Sequence, residues 1–328
     1  MMKKWNWKKL ISAAVVGMFL LTGCGAEAPE EEAPAEDAAP LKVGVLRIAD
    51  SFPFYVAQKE GLFEKHEVAV EVNEFSSGRD QSTALQGGEV DVLMTDPVVA
   101  GLSIKGGADI RIVGMALGAV PEEGRFLIVS APGSNITSPE QLEGKTVAIS
   151  NNTMMDYLVE QYADTLDLDF DKINKVNMPD LMLRTTTLLE GKEIDAAILP
   201  DPLAAYAVAE GANIVIDDTK LGENISQSVV AVSKKAIDEQ NDQVAKFMAA
   251  YNEAIEMINA DPDKYKEYAL ECAKVPKEVA ESYTTPTFTA NVVPSEDDIA
   301  RVNDWLVKRG LVEEPFKYED MVDVQFIK

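Results

Sequence analysis

Two stretches of the sequence share one pattern: LQGGEVDVLMTDP at residues 85–97 and LEGKEIDAAILPDP at residues 189–202. Both contain Leu-x-Gly-x-Glu, then Val or Ile, then Asp, a short apolar run and a closing Asp-Pro. Helical patterns flank each apolar run, and this alternation is typical of β-α-β units with parallel strands. The sequence therefore predicts two similar α/β lobes, each a mostly parallel sheet flanked by helices.

The similarity extends outward from these stretches, to about residues 42–115 in the first copy and 145–216 in the second. Repeats this long indicate a duplicated lobe, because solenoid repeats have about 20–50 residues. The predicted strands are 42–48, 68–75, 110–115, 145–150, 173–176, 214–216 and 229–232, besides those in the two quoted stretches. The predicted helices include 54–65, 98–105, 154–166, 203–210, 241–259, 263–273 and 295–308.

The N-terminus has the features of a secretion signal. Four lysines within residues 2–9 precede the apolar run 10–21, which is too short to span a bilayer. The run ends in LTGC, which resembles the bacterial lipobox, where the Cys becomes the lipidated first residue of the mature chain. We therefore predict a signal peptide at residues 1–23 and a lipid such as palmitate on Cys24; the alternative is an ordinary buried cysteine.

Residues 25–40, GAEAPEEEAPAEDAAP, contain six acidic residues, six alanines and three prolines. This composition cannot bury enough apolar surface to fold, so residues 24–40 are predicted to be a lipidated cysteine followed by a flexible tether. The folded part is then lipid-anchored at the extracytoplasmic face of the cell membrane, on the periplasmic side if an outer membrane is present. The membrane is a partner through the anchor only.

Composition excludes several functions. With 56 acidic and 30 basic residues, the chain has a formal net charge of −26, which disfavours nucleic acid as a partner. One His and two Cys leave no ligand set for zinc, haem or an iron–sulfur cluster, so we predict no metal and no cofactor. No nucleophile or phosphate-binding motif is present, and we predict no catalytic residue.

Parallel α/β sheets bind ligands at the carboxyl ends of their strands. The loops expected there are 47–53, 75–80, 95–97, 150–154, 177–182 and 200–202.

Several residues in or near these loops also have a structural interpretation. Asp96 and Asp201 precede prolines and are typical helix N-caps. The segment 76–78 forms either a capped turn or an anion site. Arg79 and Arg184 lie early in helices, where a solvated position is favoured over a ligand contact. Phe52 suits core packing as well as stacking on a ligand.

Four motifs in order resemble one known family. They are Phe54-Tyr55-Val56-Ala57-Gln58-x-x-Gly61-Leu62-Phe63, Ala84-Leu85-Gln86-x-Gly88-Glu89-Val90-Asp91-Val92, Leu142-x-Gly144-Lys145-Thr146-Val147-Ala148, and Leu189-x-Gly191-x-Glu193-Ile194-Asp195-Ala196 with Asp201-Pro202. This set is similar to the nitrate/sulfonate/taurine-type solute-binding proteins of ABC importers, which include binders of thiamine pyrimidine precursors. The resemblance implies a two-lobe periplasmic-binding-protein fold of type II, with the ligand cleft between the lobes.

The resemblance also implies how the chain is divided. Lobe 1 comprises residues 41–118 plus 225–328, with the C-terminal helices, and lobe 2 comprises residues 119–224. The crossovers are expected near residues 118–124 and 222–226. The implied partners are an ABC permease and its ATPase, and the protein is expected to be a monomer.

Ligand residues follow from the resemblance by position. They are Asp50, Ser51, Phe52, Ser76, Ser77, Gly78, Arg79, Thr95, Asp96, Asn151, Thr153, Met154 and Asp201. The candidate ligand classes are sulfonate, nitrate, aminopyrimidine and zwitterion. Three of these residues are aspartates, and a buried carboxylate facing an anion is costly. We therefore expect a ligand that presents amino or ring N–H groups.

The sequence thus favours a non-enzymatic solute-binding lipoprotein that delivers a small polar molecule to an ABC permease. One alternative is an enzyme of the same fold that resembles the pyrimidine-precursor synthases. Those enzymes carry a Cys-rich stretch and an active His, and Ser51 stands in place of that His here. A second alternative is a ligand-sensing subunit that reports to a signalling partner.

Overall fold

A computed structural model describes residues 39–222 and 224–327, which form two five-stranded sheets flanked by helices. The predicted signal peptide, the lipidation site and most of the tether lie outside these residues. Within the described part of the chain, every helix is too short or too polar to cross a bilayer.

The first sheet has the strand order β2-β1-β3-β10-β4. Its strands are β1 (Leu41–Leu46), β2 (Val70–Phe75), β3 (Val92–Thr95), β4 (Ile110–Leu117) and β10 (Ser228–Ser233). β1 pairs in parallel with β2 and β3, whereas β10 is antiparallel to β3 and β4. Val43, Val45 and Val92 are fully buried, as expected for strands covered by helices on both faces. We call this sheet and the helices packed on it lobe A.

The second sheet repeats this arrangement with the order β7-β6-β8-β5-β9. Its strands are β5 (Phe126–Ser130), β6 (Thr146–Ile149), β7 (Asn174–Asn177), β8 (Ala196–Pro200) and β9 (Asn213–Asp217). Again the central pairs are parallel, and β5 is antiparallel to its neighbours β8 and β9. This sheet and its helices are lobe B, so the predicted pair of similar α/β lobes is confirmed. β5 was not among the predicted strands.

The helices of lobe A are α1 (Phe52–Lys59), α2 (Leu62–Lys65), α3 (Gly78–Gln86), α4 (Pro97–Lys105), α8 (Lys234–Glu239), α9 (Asn241–Ala260), α10 (Pro262–Cys272), α11 (Glu296–Lys308) and α12 (Tyr318–Met321). Those of lobe B are α5 (Met154–Thr165), α6 (Leu181–Glu190) and α7 (Leu203–Ala209). The single helix predicted over 54–65 is wrong. Gly61 has φ +69°, a left-handed conformation that glycine adopts without strain, and it separates α1 from α2.

The repeated Asp of the two quoted stretches has a structural role. Asp91 Oδ2 accepts the Lys42 N–H at 3.1 Å, and Asp195 Oδ2 accepts the Thr146 N–H at 2.8 Å. Each aspartate therefore binds the backbone at the start of the first parallel strand of its own lobe, at the edge away from the cleft. The repeated Asp91 and Asp195 thus serve the two sheets, whereas the end of the first stretch, at Thr95 and Asp96, reaches the cavity between the lobes.

Two chain segments, 118–125 and 218–227, connect the sheets. They touch where Gly118, at φ +86°, faces the carbonyl oxygen of Ser226. A Cβ atom would lie 2.2 Å from that oxygen at Gly118 and 2.6 Å from it at Gly124. Only glycine allows the two connections to pack this closely. The exact lobe boundaries given above stay predictions.

Candidate functional site

A narrow cavity lies between the lobes, with space of about 50 Å³ for the centres of water molecules. Lobe A contributes the ends of β1 and β3, the start of α3 and Ser228 of β10. Lobe B contributes the loop after β6, the first residues of α5 and part of α6. The cavity thus lies at the carboxyl ends of the parallel strands, where the loops of both lobes meet. A volume of this size holds a few water molecules or a small organic molecule.

The structure brings many of the predicted ligand residues to this cavity. Its lining includes Asp50, Gly78, Thr95, Asp96, Thr153 and Met154. A larger and more polar outer cavity of about 390 Å³ adjoins it and includes Arg79 and Asn151. Gly78, Ser150, Thr153 and Pro179 line both cavities, so the two are separated only by these residues.

Other predicted ligand residues face elsewhere. The Ser51 hydroxyl accepts the Leu46 N–H at 3.2 Å. Phe52 is 1% exposed, and its ring packs against two tyrosines of α10. Ser77 caps α3 by accepting the Asp80 N–H, and Ser76 lines a separate pocket beside α6. These four residues support the cleft without lining the inner cavity.

Asp50 is the most isolated acid in the cavity. It is 1% exposed, and its Oδ2 has no hydrogen-bond partner. Burial raises the pKa of the Asp50 carboxyl to about 6, and the negative charge of Asp201 adds to this shift. The Ser228 hydroxyl faces the carboxylate without reaching normal hydrogen-bond geometry, and it lowers this pKa less than burial raises it. Among the described residues, this buried acid has no cation within ion-pair distance.

Asp96 is the N-cap of α4 and also links the lobes. It accepts the Val99 N–H at 2.8 Å, and its carboxylate is stabilised by the backbone N–H of Met154, the first residue of α5 in lobe B. Part of the side chain remains exposed toward the cleft, but the carboxyl group itself is surrounded by protein, and this burial raises its pKa to about 6. The Asp96 carboxylate of lobe A therefore lies close to the N-terminus of α5 in lobe B.

Asp201 lies outside the inner cavity. Its carboxylate accepts a hydrogen bond from Arg125 at 3.0 Å and one from the Ala205 N–H at 3.0 Å. Its backbone carbonyl accepts the Ala49 N–H from lobe A at 2.9 Å. Through these hydrogen bonds, Asp201 connects the two lobes near the crossover segments.

Arg184 was expected to be solvated, and that expectation is wrong. The side chain is completely buried and lines the inner cavity. Nε donates to the Met178 carbonyl at 2.8 Å and Nη1 to the Ile198 carbonyl at 3.0 Å, whereas Nη2 has no partner. Burial lowers the pKa of the guanidinium to about 9. The buried face of α6 is Leu181, Arg184, Thr185 and Leu188, and this helical spacing is the sequence signal that places Arg184 inside.

Four of the residues that line this cavity each have a buried polar atom without a hydrogen-bond partner: Asp50 Oδ2, Gln81 Oε1, Ser228 Oγ and Arg184 Nη2. Gln81 donates its amide to the Met94 carbonyl at 3.1 Å, which leaves its oxygen free. Buried polar atoms in folded proteins are almost always hydrogen-bonded. Their concentration in one interlobe cavity indicates a site for a polar molecule.

Comparison with known proteins agrees with this architecture. The sequence pattern of the NMT1/THI5 like family matches residues 48–265. A protein of Brachyspira hyodysenteriae that is named as an ABC transporter periplasmic binding protein is 29% identical over 271 residues, which cover 78% of this chain and 75% of the relative. A Bacillus subtilis protein named for the binding of aliphatic sulfonates is 23% identical over 98% of this chain and 96% of its own length.

The fold has solved counterparts. The periplasmic aliphatic sulphonate binding protein SsuA of Escherichia coli superposes with a TM-score of 0.70 at 20% identity, over 86% of this chain and 97% of that chain. This similarity establishes the periplasmic-binding-protein fold for both lobes and the cleft between them. Because the family pattern spans most of the folded part, from the end of β1 to α10, the chain belongs to the NMT1/THI5 like family.

Proposed function

We propose that this chain is an extracytoplasmic solute-binding protein of an ABC importer, acting as a monomer that closes its two lobes around a small polar molecule. The observation that carries the proposal is the interlobe cavity, four of whose lining residues each have a buried polar atom without a hydrogen-bond partner. The named relatives support the same function. The free energy of ligand binding then stabilises the closed form of the protein, and no bond of the ligand is broken.

Contacts between the lobes indicate how closure is stabilised. The Met154 N–H stabilises Asp96 across the cleft, and the Ala49 N–H donates to the Asp201 carbonyl. A ligand that bridges the lobes adds to these contacts only when they are closed. It therefore shifts the population toward the closed form, which is the form offered to the permease.

Reconstitution with a permease tests the proposal. The mature chain is added to liposomes that contain the candidate permease and its ATPase. We expect the chain to stimulate ATP hydrolysis and uptake of its solute, and the solute to be recovered unchanged. A chemically altered solute would favour an enzyme. Capture of a signalling protein with no effect on any permease would favour a sensing subunit.

We propose further that Cys24 anchors the chain to the outer face of the cell membrane. The LTGC sequence supports this, because small residues precede the cysteine directly after the apolar run. Replacing Cys24 with Ser is expected to release the protein into the soluble extracytoplasmic fraction and to abolish labelling by a radioactive fatty acid. The matched control is Cys272→Ser, which should leave the protein in the membrane fraction. Unchanged membrane association of the Cys24→Ser protein would contradict the anchor.

A second contact between the lobes lies on the far side of α5. In lobe A, Trp305 Nε1 donates to Glu160 Oε2 of α5 at 2.8 Å, and Lys308 Nζ lies 2.7 Å from Glu160 Oε1. The Trp305 ring also meets the Tyr157 ring edge-on at 5.6 Å. Glu160 is only 4% exposed, so its carboxylate depends on these donors. We propose that this group stabilises the closed arrangement of the lobes.

Trp305→Phe tests the contribution of this group to closure. The variant keeps the aromatic packing on Tyr157 but removes one donor from a buried carboxylate, at a cost of about 1–3 kcal/mol. We expect a weaker ligand affinity by calorimetry and a larger radius of gyration by X-ray scattering, since the closed form loses population. Tyr318→Phe is the control, because it removes a donor to the Pro294 carbonyl within lobe A. Equal affinities and radii for wild type and Trp305→Phe would contradict this role.

A further inference from the structure

We propose that Ser226 is the latch of the hinge between the lobes: its hydroxyl is held by the Asp218 carboxylate, its carbonyl oxygen lies against Gly124, and both contacts are released when the lobes separate. This inference rests on the proposed function, because it concerns how a binding protein opens and closes. It goes beyond that function by assigning hinge residues to the two crossover segments, 118–125 and 218–227.

The Asp218 carboxylate is fixed within lobe B. Its Oδ1 accepts the Phe126 N–H of β5 at 2.9 Å, and its Oδ2 accepts the Tyr162 hydroxyl of α5 at 3.2 Å. The Ser226 hydroxyl donates to the same Oδ2. Asp218 is only 2% exposed, and withdrawing a donor from a buried carboxylate is costly. The side chain of Ser226 is therefore bound firmly to a group that moves with lobe B.

The backbone of Ser226, by contrast, moves with lobe A. One residue separates it from the start of β10 in the first sheet. Two residues before Ser226, the Asn224 carbonyl accepts a hydrogen bond from Arg301 Nη1 of α11 at 3.0 Å. The end of the second crossover is thus attached to lobe A on both sides of Ser226. A rotation of lobe A away from lobe B therefore pulls the Ser226 hydroxyl away from Asp218.

The first crossover changes lobes at Gly124. The preceding residue, Glu123, accepts the Thr289 hydroxyl of lobe A. The following residue, Arg125, pairs with Asp201 of lobe B at 3.0 Å. Gly124 therefore lies directly between an attachment to lobe A and an attachment to lobe B, where a rotation of the lobes bends the chain.

The two crossovers meet at this same residue. A Cβ atom at Gly124 would lie 2.6 Å from the Ser226 carbonyl oxygen and 3.1 Å from the Ser226 Cβ. Gly124 does not have a positive φ, so its own backbone would accept alanine without strain. What excludes a side chain here is the second crossover. The bending point of the first crossover thus packs against the latch residue of the second.

Distances between spin labels on the two lobes test the latch without a ligand. The labels are attached at Lys105→Cys of α4 and Leu183→Cys of α6, two exposed positions on helices that line the cavities from opposite lobes. The mature chain also carries Cys24→Ser and Cys272→Ser, so that only the two labelled positions react. We expect a short and a long distance, because the latch keeps part of the ligand-free population closed.

Two substitutions release the latch in different ways. Ser226→Ala removes the hydroxyl donor, and Gly124→Ala places a methyl group against the carbonyl oxygen. Each is expected to lower the ratio of closed to open molecules by about tenfold, because a lost hydrogen bond to a carboxylate and a clash with a backbone atom are both costly. The measurement is made at pH 8, since burial raises the pKa of Asp218 to about 7 and the ionised carboxylate accepts the hydroxyl.

Matched controls separate the latch from a general loss of stability. Tyr162→Phe removes the other hydroxyl from the same carboxylate, but this donor belongs to lobe B, so the ratio of closed to open molecules should not change. Gly87→Ala adds a methyl group at the end of α3, where the nearest atoms lie 3.5 Å from the new Cβ, and it should not change the ratio either.

The outcomes decide the inference without reference to any solute. An unchanged ratio in either Ser226→Ala or Gly124→Ala, in a variant that circular dichroism shows to be folded, would overturn the latch. A wild-type hinge that gives only the long distance would do the same, as would a Tyr162→Phe protein that opens as far as Ser226→Ala. The solute-binding function is judged separately, by stimulation of the permease in the reconstituted system.

Discussion

Replacing Asp50 with Asn is expected to raise the free energy of unfolding of the ligand-free protein by up to about 3 kcal/mol above pH 7. The Asp50 carboxyl has a pKa of about 6 in the folded protein and an ordinary value near 4 in the unfolded chain. Its contribution to stability is fully present below pH 4 and is lost as the pH rises through 6, because ionisation of the buried acid is unfavourable. A pKa difference of about two units corresponds to about 3 kcal/mol. Asn keeps the shape and removes the charge.

Urea unfolding of both proteins between pH 4 and pH 8 measures this effect. The two curves should meet near pH 4 and diverge between pH 4 and pH 7, with the variant more stable at the alkaline end. The control Asp263→Asn makes the same chemical change at a side chain that is 90% exposed, and its curve should follow wild type. A variant that is no more stable than wild type at pH 8 would show that the carboxylate is better solvated than its burial implies.

This expected gain in stability accompanies a change at the candidate site. The same substitution removes a carboxylate from the lining of the interlobe cavity. Residues at functional sites often destabilise the empty protein, because their unpaired groups are matched only in the complex. Asp50 is therefore best understood as a residue retained for binding at the expense of the folded ligand-free state.

Replacing Arg125 with Met is expected to destabilise the protein by about 3 kcal/mol at pH 7, the lower end of the usual cost of removing one partner from a buried ion pair, because the Arg125 side chain is 31% exposed. Arg125 Nη1 lies 3.0 Å from Asp201 Oδ2, and Nη2 lies 3.8 Å from Asp217 Oδ2. Both aspartate side chains are less than 10% exposed. Without the guanidinium, two carboxylates next to the first crossover segment lose their shared counter-charge.

Two measurements test the reason for this loss. Burial already raises the pKa of Asp201 although Arg125 opposes it, so removing Arg125 raises this pKa further. A proton then replaces the missing charge as the pH falls, and the difference from wild type should shrink between pH 7 and pH 5. Asp201→Asn in the Arg125→Met background should likewise recover part of the stability at pH 7.

A control of the same chemistry is available on the surface. Lys172 pairs with Glu143 at 3.2 Å, and both side chains are about half exposed, so Lys172→Met should change stability little. If Arg125→Met were as mild as Lys172→Met at pH 7, the Arg125 cluster would contribute no more than an exposed ion pair.

Local patterns were sufficient to predict the architecture. The duplicated stretches, the apolar runs and the helical pattern of 241–259 all depend on neighbours along the chain, and in α9 the residues Val244, Phe247 and Tyr251, at helical spacing, are buried. The two errors of secondary structure, the single helix over 54–65 and the missing strand β5, also concern short segments of the chain. The interruption at Gly61 follows from a backbone angle that the sequence does not state, and β5 is a strand of five residues, four of them apolar, which is too short to show a period.

The site was only partly predictable. Loops at the carboxyl ends of strands follow from topology, so Asp50, Asp96 and Thr153 could be nominated before any coordinates. Gln81 and Arg184 lie within helices, and Ser228 lies on the strand that follows the second crossover. Nothing near them in the chain distinguishes them from ordinary helix or strand residues, except for the position of Arg184 on the buried face of α6.

Patterns along the chain are sufficient for the two-lobe α/β fold, the loops at the carboxyl ends of the strands and the acidic character of those loops. They do not reveal which charges are paired. In the folded protein Asp201 pairs with Arg125 and Asp96 caps α4, whereas among the described residues Asp50 and Arg184 have no oppositely charged side chain within ion-pair distance. Secondary structure depends on short-range periodicity, but the pairing of buried charges depends on distances between residues far apart in the chain.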